Sequence, residues 1–199
     1  MTEKPQWLVR EEAGIPVLVA LALRQRLGIR EPQDLPTLRD HPLRTFDDGE
    51  ADDALERQWR SYWEMTVEPV THPSETPLEL VDGFETVVAL PTRGAERLRT
   101  AITPFAADVL RYARDAQHRY ARSVSGTGDP YRAYAAALAE FERDTGRRAH
   151  SFELNVHVLP LAQRGIWRIG AFSIAVTDTL RHDPVDFDTA IRPVIAEVA

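Results

Sequence analysis

The run Phe152-Glu153-Leu154-Asn155-Val156-His157-Val158 places a carboxylate, an amide and an imidazole at every second position. On a β-strand that spacing lines up Glu153, Asn155 and His157 within about 14 Å on one side. A histidine beside a carboxylate can give or take a proton near neutral pH, and an amide can orient a substrate oxygen. These three are the candidate catalytic residues. Ser173 and Thr177, on a second strand-like run, are the small hydroxyl residues expected across the ladder from them, as ligand-binding positions. The competing account of the same pattern is a solvated polar sheet face.

A second cluster is expected at the far end of the same hairpin, where antiparallel pairing would bring His150 near Asp178, His182 and Asp183. Histidine and aspartate can together hold Zn²⁺ or another divalent ion. No histidine here belongs to a spacing such as His-Glu-x-x-His, and strand ends collect polar residues for other reasons. His150 and His157 stand ~23 Å apart on an extended strand, so they cannot share one ion.

Other chemistries find less support. Cysteine is absent, which excludes disulfides, thiolate zinc sites, iron-sulfur ligation and thiol nucleophiles. Of the 24 basic residues only Lys4 is a lysine, so neither a Schiff-base nor a P-loop lysine is expected. Ser125-Gly126-Thr127-Gly128-Asp129 contains Gly-x-Gly, but it follows a predicted helix and lacks the third glycine of a dinucleotide turn. The acidic run from Asp47 to Glu56 departs from the EF-hand spacing and reads better as helix capping. No nucleotide, haem, iron-sulfur or PLP signature emerges, and the cofactor is left unknown.

Several elements must position these residues. Ser151 to Leu161 and Ile166 to Asp178 read as the clearest strands, joined through Ala162, Gln163, Arg164 and Gly165 as one antiparallel hairpin. The second changes phase at Gly170, which predicts a bulge there, with Phe152, Leu154 and Val156 opposite Asp178, Val176 and Ile174. Leu78 to Leu90 carries Asp82-Gly83 between two apolar runs, the signal of a second hairpin.

Helices are expected from Pro16 to Gly28, from the acidic run at Asp47 through Trp63, and from Gly94 to Arg122 with a kink or restart at Thr103-Pro104. Two more are expected from Asp129-Pro130 to Thr145-Gly146 and from Pro184 to Val198. Leu55, Trp59, Tyr62 and Trp63 form one helical stripe, read as core or as an interaction surface. His118, among Arg114, Asp115 and Arg119, is read as a solvated helix face or a docking surface for an acidic partner. Residues 30–48, with Pro32, Pro36 and Pro42, read as an ordered loop, and residues 1–6 as a frayed end.

Charge bears on partners. The chain of 199 residues carries a formal charge of −7, against broad binding to nucleic-acid phosphates. Residues 46–90 hold twelve carboxylates against Arg57 and Arg60, whereas residues 91–150 hold eleven arginines against seven carboxylates. That asymmetry favours docking of one half on the other, or of one subunit on another, as against two solvated faces. The apolar stretch Ile15 to Leu23 is too short for a membrane span, and the N-terminus does not read as a signal peptide.

The expectation is therefore a single α+β domain over residues 1–199, about five helices packed on antiparallel β-hairpins, the main one at 151–178 and the second at 78–90. Two function classes follow. One is a soluble, acidic, cytoplasmic binding or accessory protein with a protein partner or a second copy of itself, and with no nucleic acid or membrane. The other is a small enzyme or ligand-binding domain using the Glu153, Asn155 and His157 face, with the His150 metal cluster as a variant.

Overall fold

The chain is mixed helix and strand in a computed structural model that describes residues 6–42, 52–124 and 131–199. Two compact units divide the chain, Met1–Ala13 with Arg119–Ala199, and Gly14–His118.

The first unit is built on a four-stranded sheet. Its strands are β1 (Trp7–Glu12), β4 (Phe152–Leu159), β5 (Ile166–Gly170) and β6 (Ser173–Thr177), in the order β1-β4-β6-β5. β1 runs parallel to β4 and β4 parallel to β6, while β5 is antiparallel to β6. The expected hairpin over 151–178 is corrected here, because the reversal falls at Ala171-Phe172, between β5 and β6. β4 lies on the other side of β6 and points the same way. A two-residue turn and a bulge both invert the side-chain phase, so alternation alone could not tell them apart. A register irregularity is also present between Arg168 and Gly170, where the phase change was noted. The buried end of β4, Val156 to Leu159, has the near-continuous burial of a strand in a parallel pair.

Val9, Phe152, Leu154, Val156, Val158, Ile174 and Val176 lie on one sheet face. They pack with α5 (Arg132–Thr145) and α7 (Pro184–Val198) through Tyr134, Leu138, Phe187, Ile191 and Ile195. Pro184 suits the first turn of α7, and the Asp183 side chain caps it by accepting the Asp186 amide at 3.2 Å. Gly146 closes α5 with φ +62°, as the Thr145-Gly146 signal predicts. The short α6 (Asp178–Arg181) joins β6 to α7. The start expected at Asp129-Pro130 and the Gly-x-Gly run lie outside the described residues.

The second unit is mostly helical. In α1 (Ile15–Leu27), Val17 to Leu23 are all buried, which matches a segment apolar on every side. Arg24 and Gln25 of α1 order the proline-rich loop that follows. The Arg24 guanidinium donates to the Arg30 carbonyl at 2.8 Å and to that of Pro32 at 2.5 Å, and the Gln25 side chain bonds both the amide and the carbonyl of Leu38. Residues 43–48 of that loop, and the acidic run up to residue 51, lie outside the described residues.

In α2 (Asp53–Val67) the Asp52 side chain caps the helix by accepting the Leu55 amide at 3.0 Å. Trp59, Tyr62 and Trp63 are buried, with the two indoles stacked at 5.6 Å. Thr103-Pro104-Phe105 forms a 3₁₀ turn between α3 (Glu96–Ile102) and α4 (Ala106–Val124), the restart that Thr103-Pro104 allowed.

The second hairpin exists but is shorter than expected. Only β2 (Leu78–Leu80) and β3 (Ala89–Pro91) pair, antiparallel. Between them the Phe84 amide bonds the Val81 carbonyl at 3.1 Å and the Val87 amide bonds that of Phe84 at 3.0 Å, so two successive turns replace the expected strand from Phe84. Gly83 has φ +83° and Asp82 does not share the positive range, which departs from the two-residue turn that Asp-Gly suggests.

Candidate functional site

Parallel pairing rearranges the predicted polar face. The register sets Glu12 beside His157 beside Ala175, Arg10 beside Asn155 beside Ser173, and Leu8 beside Glu153. Registered residues of adjacent parallel strands point to the same face, about 4.8 Å apart. Glu153, Asn155, His157, Ser173 and Thr177 therefore share one face, although through a pairing opposite in direction to the expected one.

Their surroundings differ along that face. Glu153 is exposed and forms an ion pair with Arg10 of β1. Asn155 is half-buried. His157 is buried, and its Nδ1 stands 3.4 Å from Oε1 of Glu12, aligned too poorly to count as a hydrogen bond among the described residues. The Glu12 carboxyl is held below the usual carboxylate range, first by the His157 side chain and further by Arg10, against the opposing cost of partial burial.

Ser173 and Thr177 are both buried. The Thr177 hydroxyl donates to the Gln163 carbonyl at 2.6 Å and accepts the Gly165 amide at 2.9 Å. That side chain ties the loop before β5 to β6.

The metal cluster is corrected by the same topology. Leu159 at the end of β4 pairs with Thr177, so Asp178 lies at one end of the sheet while His150 precedes the start of β4 at the other. Along the strand that is a separation of roughly 30 Å. The His150 amide donates to the Ala199 carbonyl at 3.0 Å. His182 Nδ1 lies 2.5 Å from the Asp178 carbonyl, and Asp183 caps α7 and pairs with Arg164 at 3.2 Å. Among the described residues no three histidine, aspartate or glutamate side chains are placed to hold a metal ion.

Two residues that sequence reasoning passed over enter the site from β1. Glu12 supplies the carboxylate beside His157, and Glu11 is the buried acid of the unit, its side chain 3% exposed. Glu11 Oε2 accepts from Arg181 Nε at 2.8 Å and from the Tyr134 hydroxyl at 2.5 Å, and Oε1 accepts the Tyr120 hydroxyl at 3.5 Å. Burial, followed by the Glu11 charge, pushes both phenols well above their ordinary range. The run Trp7-Leu8-Val9-Arg10-Glu11-Glu12 sets three apolar residues before three charged ones, so it carries no alternation by which a strand could be read.

The charge asymmetry is partly absorbed inside the second unit. Asp52 pairs with Arg97, Glu79 with Arg99 at 3.6 Å, and Glu85 with Arg114, each joining the acidic segment to the basic one. Among the described residues no helix is long and apolar enough to cross a membrane. No family model, no curated protein and no solved structure matches this chain.

Proposed function

We propose that the chain is a small ligand-binding domain, or a small enzyme, whose polar sheet face binds a small polar molecule with the Glu12–His157 pair as its proton-transfer centre. The observation that carries this reading is the buried His157 Nδ1 that faces the Glu12 carboxylate at 3.4 Å across two neighbouring strands. A shielded imidazole beside a solvent-reached carboxylate is a pair of groups able to give and take a proton near neutral pH. Asn155 supplies an orienting amide on the same face, and Arg10 with Glu153 supplies charge at its exposed end. The small side chains Ala175 and Ser173 stand in register beside His157 and Asn155 respectively.

A thermal-shift screen of small carboxylic acids, phosphates and amines tests this. A compound that raises the melting temperature of the wild type with increasing concentration, and leaves His157→Gln unmoved, supports the reading. Compounds that act equally on both proteins, or no stabilising compound in these classes, overturn it.

A binding or accessory role is the second reading, favoured by Trp7 and Leu8, which are 38% and 45% exposed on the edge strand β1. Exposed aromatic and aliphatic side chains on an edge strand are suited to association with another chain. Sedimentation of the wild type and of Trp7→Ser/Leu8→Ser tests it: loss of a dimer, or of a co-purifying protein, in the variant supports association through β1. A monomer that captures nothing removes it.

A further inference from the structure

Glu11 and Glu12 are successive residues of β1, so their side chains leave the strand on opposite faces. Glu12 faces His157, and Glu11 faces the helices. Three donors converge on the Glu11 carboxylate, Tyr120 from α4, Tyr134 from α5 and Arg181 from α6. Those donors are themselves held. The Arg181 guanidinium lies 4.7 Å over the Phe187 ring, and Tyr134 meets that ring edge-on at 5.7 Å.

We propose that Glu11 is the positioning residue of the Glu12–His157 pair: anchored by Arg181, Tyr134 and Tyr120, it holds the last turn of side chains on β1 so that Glu12 stays in register with His157. This rests on the reading of that pair as a proton-transfer centre. β1 is an edge strand paired on one side only, and Glu12 is its last residue. The end of an edge strand is where pairing frays first. Glu12 has little packing of its own, its side chain being 61% exposed, so its direction is set by the backbone. Ala13 follows outside the strand, and Gly14 then takes φ +54°. The anchored carboxylate one residue earlier is what fixes that backbone.

A carboxyl-carbon NMR titration of Glu12 in the full chain tests the inference, because the groups facing this carboxyl are His157 on β4 and Arg10 on its own strand. His157→Gln serves as the reference. Tyr134→Phe and Arg181→Lys each loosen the anchor without changing net charge. The expected result is that both variants move the Glu12 midpoint upward in pH, toward the ordinary carboxylate value and in the same direction as His157→Gln. If His157→Gln raises the midpoint while both anchor variants titrate as wild type, the positioning role is overturned and the pair stands. If His157→Gln leaves Glu12 unmoved, the pair itself fails and the positioning role falls with it. Circular dichroism identifies a variant that does not fold, and the other anchor variant then decides the outcome.

Discussion

Oε1 of Glu12 and Nδ1 of His157 lie 3.4 Å apart on neighbouring parallel strands whose register pairs these two residues directly. The carboxylate is mostly exposed and the imidazole mostly buried, at 61% and 10% of their side chains. Solvent reaches one partner while the other is shielded.

That pair makes acid stability depend on Glu12. Its carboxyl titrates lower in the folded chain than in the unfolded one, chiefly through His157. The contribution is therefore present above the ordinary carboxylate value and is lost as pH falls through the lower, folded value. Denaturant melts of wild type and Glu12→Gln are expected to differ at pH 6 and to converge once the pH falls below the folded value. A difference that persists unchanged at acid pH would contradict the pairing.

His41 gives the second unit a pH dependence of its own near neutrality. Burial is the first cause that lowers its pKa, and the Arg26 charge adds to it, against the Ala22 carbonyl 3.2 Å from Nε2 and the Asp108 charge. The folded state thus holds the proton less well than the unfolded state. Stability is full above the unfolded value of about 6.5 and falls as pH drops through that value toward the folded one. In a comparison of melting temperatures from pH 7.5 to pH 5, His41→Gln is expected to flatten that slope.

Tyr62 carries a buried hydroxyl with the Thr66 side chain beside it but no well-formed hydrogen bond among the described residues. A buried unsatisfied polar group costs more than it returns. Tyr62→Phe, which keeps the ring and removes the hydroxyl, is expected to stabilise the chain by about 1 kcal/mol in a urea titration. Destabilisation would show that the hydroxyl is bonded.

Gly83 occupies φ +83°, and a β-carbon built there would lie 2.9 Å from that of Ala106. Both the left-handed backbone and the short contact oppose any side chain. Gly83→Ala is expected to cost about 2 kcal/mol, measured by the same titration. A neutral substitution would mean that the turn can reshape.

Much of the local structure was legible from residue order. Pro16 and Gly28 bracket α1, Gly146 closes α5, and Pro184 opens α7. The stripe of Trp59, Tyr62 and Trp63 was legible as one helical face, and burial places it in the core. Each of these is set by a few neighbouring residues, through caps, backbone angles or a helical period. The alternation of Glu153, Asn155 and His157 was legible in the same way, because side chains on a strand alternate whatever its partner.

Which strand lies beside which, and in which direction, was decided only by tertiary structure. Ala171-Phe172 reverses the chain where the pattern admitted a bulge, and β4 then runs parallel to β6. That choice removes His150 from Asp178, and it seats β1 on the opposite edge of β4, bringing Glu12 to His157 across 145 positions of sequence. Hydrophobic alternation records which face of a strand is buried but carries no sign for its direction. Direction comes from where the chain can turn and from which edges remain to be paired, and those are properties of the assembled sheet.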